Sequence, residues 1–223
     1  MEMQIQDTFM LRDLFSRRRL PSLLSALAFL GVAYVAEHYA NAYAFDVALR
    51  PTTTHVGDLF LDNIPVLDLN FLIIEGAFIA IILGVLLVLS RPRFLPFSLK
   101  ALALFVIVRA FFISLTHVGI HPEQISPGVG FFDGIYLYLN FQTGLFFSGH
   151  TALPFLMALI FWNDRRIRNI LLALSLVFGA AVLVAHIHYS IDVFAAPFMA
   201  YGIYHIARRI FREDYALILG TTG

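Results

Sequence analysis

Residues 71–115 read FLIIEGAFIAIILGVLLVLSRPRFLPFSLKALALFVIVRAFFISL. Two apolar runs are parted by Arg91-Pro92-Arg93, with Lys100 shortly after. A helix that crosses a bilayer needs roughly 20 mostly apolar residues. The first run satisfies this over about 66–90 and the second over about 98–118. Four further stretches follow the same pattern, at about 21–45, 148–163, 168–189 and 191–211. The stretch 148–163 is short unless the preceding FQTGLFF contributes. The last two nearly meet at Ser190, so a tight turn must separate them.

Charge tests this count. Arg12, Arg17, Arg18 and Arg19 precede the first run. Arg91, Arg93 and Lys100 lie between the second and third, and Arg165, Arg166 and Arg168 between the fourth and fifth. Arg208, Arg209 and Arg212 close the sixth, so thirteen of the fifteen Lys and Arg fall on one side of an alternating chain. Arg50 alone faces the other side, with Asp46, Asp58, Asp62, Asp68, Glu123 and Asp133, and Arg109 sits inside the third run. Positive charge gathers on the cytoplasmic side of membrane proteins. The pattern therefore predicts an all-α integral membrane protein: a six-transmembrane-helix bundle with both termini cytoplasmic, forming a single domain over 1–223. Ala42-Tyr43-Ala44 loosely resembles a signal-peptide cleavage site, but Glu37 and His38 separate it from a long apolar run, and cleavage is not expected.

Composition agrees. The 223 residues are 60% hydrophobic and 13% charged, with mean hydropathy +0.81, where soluble domains are about a quarter charged. Zero formal net charge and the absence of a polybasic tail argue against nucleic acid as a partner. The chain has no cysteine, which removes disulfides, thiolate metal sites and cysteine nucleophiles.

Against this background two polar stretches stand out, FFSGHTALPF at 146–155 and AHIHYSIDV at 185–193. Both fall at the outer ends of spans, so topology brings them to one membrane face. Ser148 suits a helix N-cap, Gly149 admits close approach to the backbone, and a helix N-terminus with free N–H groups attracts phosphate. His150 then projects from the first turn. His188 and Asp192 share a face if helix runs through them, and a carboxylate on one imidazole nitrogen leaves the other free to act as a nucleophile. His186, two residues earlier, points the other way. A metal site from His186, His188 and Asp192 is the competing reading, but His-x-His on a helix splays its ligands. Arg109, mid-span, calls for a partner and a function; Glu75 in the second span is the candidate partner, or else contacts a head group. Glu37 and His38 fit snorkelling, and His117 and His121 fit interfacial polar residues. The aromatic 128–147 loop is expected at headgroup level.

FFSGHT followed by HYSID resembles the second and third signatures of the type 2 phosphatidic acid phosphatase superfamily. AHIHYSIDV is most similar to its sphingomyelin synthase branch, as is VRAFFISLTHVGIHP in the third span. The resemblance covers a catalytic core of about 100–205. It implies His188 as the nucleophile that becomes phosphohistidine, Asp192 as its orienting carboxylate and His150 as the acid that protonates the leaving alcohol. Arg109, Ser148 and Gly149 would bind phosphate, with Glu75 and His186 as supporting neighbours. It implies a lipid phosphatase of the outer face or, alternatively, a phosphotransferase passing a phospho-head group to ceramide or diacylglycerol. No metal or other cofactor is needed, and the partners are a membrane lipid phosphate and the bilayer itself. The first superfamily signature is absent: Lys100 and Arg109 have the wrong spacing and Ala110 follows. The arginine usually found before the third-signature histidine is missing from VLVAH, and Gly144 stands where animal enzymes of the branch carry an Asp. The short chain points to a bacterial inner membrane. An inactive membrane-binding or transport protein of the same fold is the reading from another class.

Overall fold

In a computed structural model, the structure describes residues 11–17, 19–125, 131, 134 and 146–220, and among them no strand occurs. The apolar runs become α1 (Leu20–Ala48), α2 (Glu75–Leu89), α3 (Leu95–Leu115), α4 (Gly149–Ile160), α5 (Arg165–Val184) and α6 (Ser190–Ile210), and a short terminal helix α7 (Arg212–Leu219) follows. A single turn, Asn70–Ile73, leads into α2. Local chemistry sets the ends. Prolines open α1 and α3, where a missing N–H costs nothing. Side chains of Ser148 and Asp164 cap α4 and α5, and Gly220 at φ 69° ends α7 in the left-handed conformation that glycine permits. Helix α1 runs unbroken through Ala42-Tyr43-Ala44.

The helices alternate between two ends. At one end, Arg91 of the α2–α3 turn donates to Asp164 of the α4–α5 turn at 2.7 Å. Lys100 donates to Asp214 of α7 at 2.6 Å, and Ser22 of α1 donates to that same carboxylate. At the other end, Leu67 N–H donates to Val184 O, Ile125 N–H to Ala185 O and Gly119 N–H to Thr54 O. Helix α1 packs on α3, α4 lies against α5 and α6, and α3 meets α6. The core is aromatic and apolar: Phe94 stacks on Phe161 at 4.6 Å, within a cluster holding Phe97, Phe105, Phe147 and Leu156.

The outside is apolar too, with Phe198, Leu176 and Phe71 each at least 75% exposed. In a water-facing protein such surface is unusual; in hydrocarbon it is the expected exterior. Among the described residues, four helices are long and apolar enough to cross a membrane: Leu20–Ala48, Asn70–Leu89, Pro92–Leu115 and Arg165–Val184. Gly149–Ile160 is apolar but has 12 residues, and Ser190–Ile210, though 21 residues long, carries Asp192, Arg208 and Arg209. Prolines 154 and 197 lie inside these last two helices, where each removes a backbone hydrogen bond.

The turn between α5 and α6 occupies 185–189 rather than a single residue at Ser190. Helix therefore does not run through His188, as the i,i+4 argument assumed. The stretch is a folded-back turn in which Ile187 and His188 both donate to Val182 O.

Candidate active site

Ser148 builds one side of the site. Its hydroxyl accepts from Thr151 N–H at 3.4 Å, as an N-cap does, and its own N–H donates to the backbone carbonyl of Asp192 at 3.0 Å. That one bond joins the SGHT turn directly to the start of α6. Asp192 lies in the first turn of α6, where its carboxylate accepts the Tyr189 N–H at 3.0 Å. The same oxygen stands 3.4 Å from His188 Nδ1. Both side chains are buried. A proton on Nδ1 facing the carboxylate leaves Nε2 of His188 with its lone pair.

His150 enters from α4. Its Nε2 lies 3.1 Å from Ile73 O; a carbonyl only accepts, so Nε2 donates and Nδ1 is the free nitrogen. The ring centroid of His150 is 6.3 Å from that of His188. Arg109 approaches from α3: Nε donates to Phe147 O at 3.1 Å, and a Cβ added at Gly149 would lie 3.6 Å from that Nε. The guanidinium thus lies along the backbone at the N-terminus of α4. His150, His188, Asp192, Ser148, Gly149 and Arg109, six residues expected from sequence, meet at one end of the bundle.

Two other expectations need correcting. Arg109 forms its ion pair with Glu37 of α1, not with Glu75. Helices α1 and α3 are packed neighbours, so Glu37 reaches inward to the guanidinium instead of snorkelling. Glu75 opens α2, is buried, and its Oε1 has no hydrogen-bond partner. The second correction concerns the histidines at the outer ends. His186 is fully buried in a left-handed conformation, φ 54°, with neither ring nitrogen hydrogen-bonded. Its ring meets that of His121 edge-on at 4.8 Å, and Nδ1 is 3.8 Å from a Glu123 carboxylate oxygen. It therefore faces the 116–125 segment, not His188 and Asp192. His121 is buried against His186; burial, and then the neighbouring His186, push its pKa below the ordinary 6.5. His117 is exposed, within 3.0 Å of Tyr43 Oη. Among the described residues no group of three His, Asp or Glu is arranged to hold a metal ion. Most of the 128–147 loop, and Gly144, lie outside the described residues.

Residues 143–209 match the family described as PAP2 superfamily C-terminal. The match supports membership of the PAP2 superfamily over that part of the chain. The match contains both motifs, the SGHT turn and AHIHYSIDV, and ends near the close of α6. No curated protein matches the chain. PAP2 superfamily members are phosphatases and phosphotransferases, which supports an enzyme, and the apolar helices suggest a multi-pass membrane protein. Glu37 and the carbonyls of Ile73 and Phe147, which hold Arg109 and His150, have no signature in the sequence; only the helix packing reveals them.

Proposed function

We propose that this PAP2 enzyme hydrolyses a lipid phosphate ester through a phosphohistidine on His188. The observation that carries the reading is the facing pair of imidazoles. One is oriented by Asp192 and the other stands 6.3 Å away at the N-terminus of α4. In this reading a tetrahedral phosphoryl group would lie between them, its oxygens toward the N-terminal turn of α4 and the guanidinium of Arg109. In the first step His188 Nε2 attacks phosphorus and the bond from phosphorus to the lipid oxygen breaks. The leaving oxygen takes a proton from Nδ1 of His150 in its imidazolium form. In the second step His150, now neutral, removes a proton from water as that water attacks phosphorus. The phosphorus–nitrogen bond breaks, phosphate leaves and His188 is restored. Helix-end amides and Arg109 offset the charge that builds on the oxygens.

The second reading replaces water with a lipid alcohol such as ceramide or diacylglycerol, giving a phosphotransferase. It is supported by AHIHYSIDV and by the missing arginine in VLVAH, features of the sphingomyelin synthase-like branch. For the topology we propose six spans, both termini cytoplasmic and the site on the extracytoplasmic side of a bacterial inner membrane. The lysines and arginines collected at the opposite end support it.

One assay separates the readings. The purified protein is offered several lipid phosphate donors, with and without an added lipid alcohol, and the products are resolved. Free phosphate in both cases supports hydrolysis; a new phospholipid only with the alcohol supports transfer. His188→Ala should lower either rate at least about 1,000-fold and abolish a trapped phosphoenzyme. Full activity in that variant would sink the mechanism.

A further inference from the structure

We infer that Asp58, in the loop between α1 and α2, is a positioning residue that holds the nucleophile-bearing turn at the start of α6. The inference rests on the proposed role of His188. Asp58 is buried although it lies in a loop. One carboxylate oxygen accepts the Ser190 N–H at 2.7 Å, and the other accepts N–H groups of Phe60 at 2.9 Å and Leu61 at 3.2 Å. Ser190 is the first residue of α6, so its amide has no partner within the helix. Asp58 supplies that partner from more than 130 residues away in the chain. Asp192 meanwhile accepts the Tyr189 N–H. Two consecutive amides beside His188 are thus held by carboxylates from different segments.

A second contact works on the same turn. The Tyr189 hydroxyl donates to Gly119 O at 2.9 Å and accepts from Val56 N–H at 3.4 Å. Gly119 N–H in turn donates to Thr54 O at 3.0 Å. A Cβ at position 119 would lie 2.8 Å from the Thr54 carbonyl carbon, so only glycine fits this crossing. The loops 54–62 and 116–125 therefore close on Tyr189 and Ser190 together. The turn needs such support: His186 is left-handed, a conformation that costs a non-glycine residue about 1 kcal/mol. A misplacement of about 1 Å at a reacting group is enough to cost 100-fold in rate. Burial alone would raise the Asp58 pKa, but the amides of Ser190, Leu61 and Phe60 outweigh it and hold it below 3.8. The carboxylate is anionic at neutral pH, where charged acceptors make the stronger hydrogen bonds.

The test uses two substitutions on one bond. Asp58→Asn preserves shape but can turn an NH2 toward the Ser190 amide. Ser190→Pro deletes the amide itself at the first helical position, where proline is favoured. Tyr189 already has the extended conformation (φ −66°, ψ 156°) that proline requires before it. Phosphate release from phosphatidic acid in detergent micelles gives kcat and KM. Hydrogen exchange over 185–191 of the full chain reads the turn without reference to activity. Asp58→Asn should lower kcat about 10- to 100-fold with KM within about threefold, and quicken exchange in that segment about tenfold. Ser190→Pro should do the same to kcat, and the double variant should be no worse than the worse single one. Unchanged exchange in Asp58→Asn, or losses that multiply in the double variant, would overturn the inference. Should Asp58→Asn yield no folded protein, Ser190→Pro carries the test: an unchanged kcat there would overturn it equally. If the wild-type protein releases no phosphate from any lipid, the hydrolase reading falls, while exchange still decides whether Asp58 holds the turn.

Discussion

Lys100 and Asp214, at the arginine-rich end of the bundle, meet at 2.6 Å with Ser22 on the same carboxylate, and Arg91 reaches Asp164 at 2.7 Å. At the opposite end, Asp192 stands 3.4 Å from His188, Glu75 Oε1 has no hydrogen-bond partner, and His186 has none on either ring nitrogen. Both ends bury charged or polar groups among apolar neighbours, yet the charged side chains of the first are closely paired, whereas the second leaves Glu75 Oε1 and both His186 nitrogens without partners. Buried polar groups without partners are costly and call for an explanation. The contrast separates anchorage from chemistry. The close pairs bind α7 and the turns into one body, whereas the looser groups lie, on the proposed function, where the phosphate ester would bind.

Substitutions at the two ends should therefore fail in different ways. Arg109→Gln is expected to lower kcat about 100-fold, the loss typical of removing one donor to a developing anion; phosphate release per folded molecule measures it. A rate within threefold of wild type would move Arg109 from the site to the scaffold. Lys100→Ala strands Asp214 in a buried position, 6% exposed. It should lower stability by about 3 kcal/mol, seen in thermal unfolding in detergent, while kcat of the folded fraction stays unchanged. A drop in kcat instead would mean that the two ends are coupled. The smallest effect is expected at His186. Asparagine tolerates the left-handed conformation, so His186→Asn should retain stability and keep the rate within about threefold. A loss like that of His188→Ala would erase the distinction between the two histidines.

Much of this was legible beforehand, and the rest was not for physical reasons. Ser148 as a cap follows from its own side chain and the local backbone, and the structure has it. His188 and Asp192 were paired by their spacing. They do meet, though through a turn and a first helical turn rather than along one helix, because sequence periodicity does not mark where α5 ends. Arg109 was marked as needing a partner, and Glu75 was the expected one while Glu37 was read as snorkelling; only the packing of α1 against α3 makes Glu37 the partner. Asp58 gave no signal, since an aspartate in a polar loop is ordinary; only the approach of that loop to the start of α6 gives it a target. The remote contacts are those that the packing of distant segments creates.

The five-residue turn from Ala185 to Tyr189 has a kinetic consequence. On the proposed function, so short a connection keeps His188 at the level of the helix ends, where a lipid substrate arrives by lateral diffusion within its own leaflet. The quantity that saturates the enzyme is then the mole fraction of substrate in the surface. Diluting the lipid with inert amphiphile should slow turnover, whereas diluting the whole suspension with buffer should not.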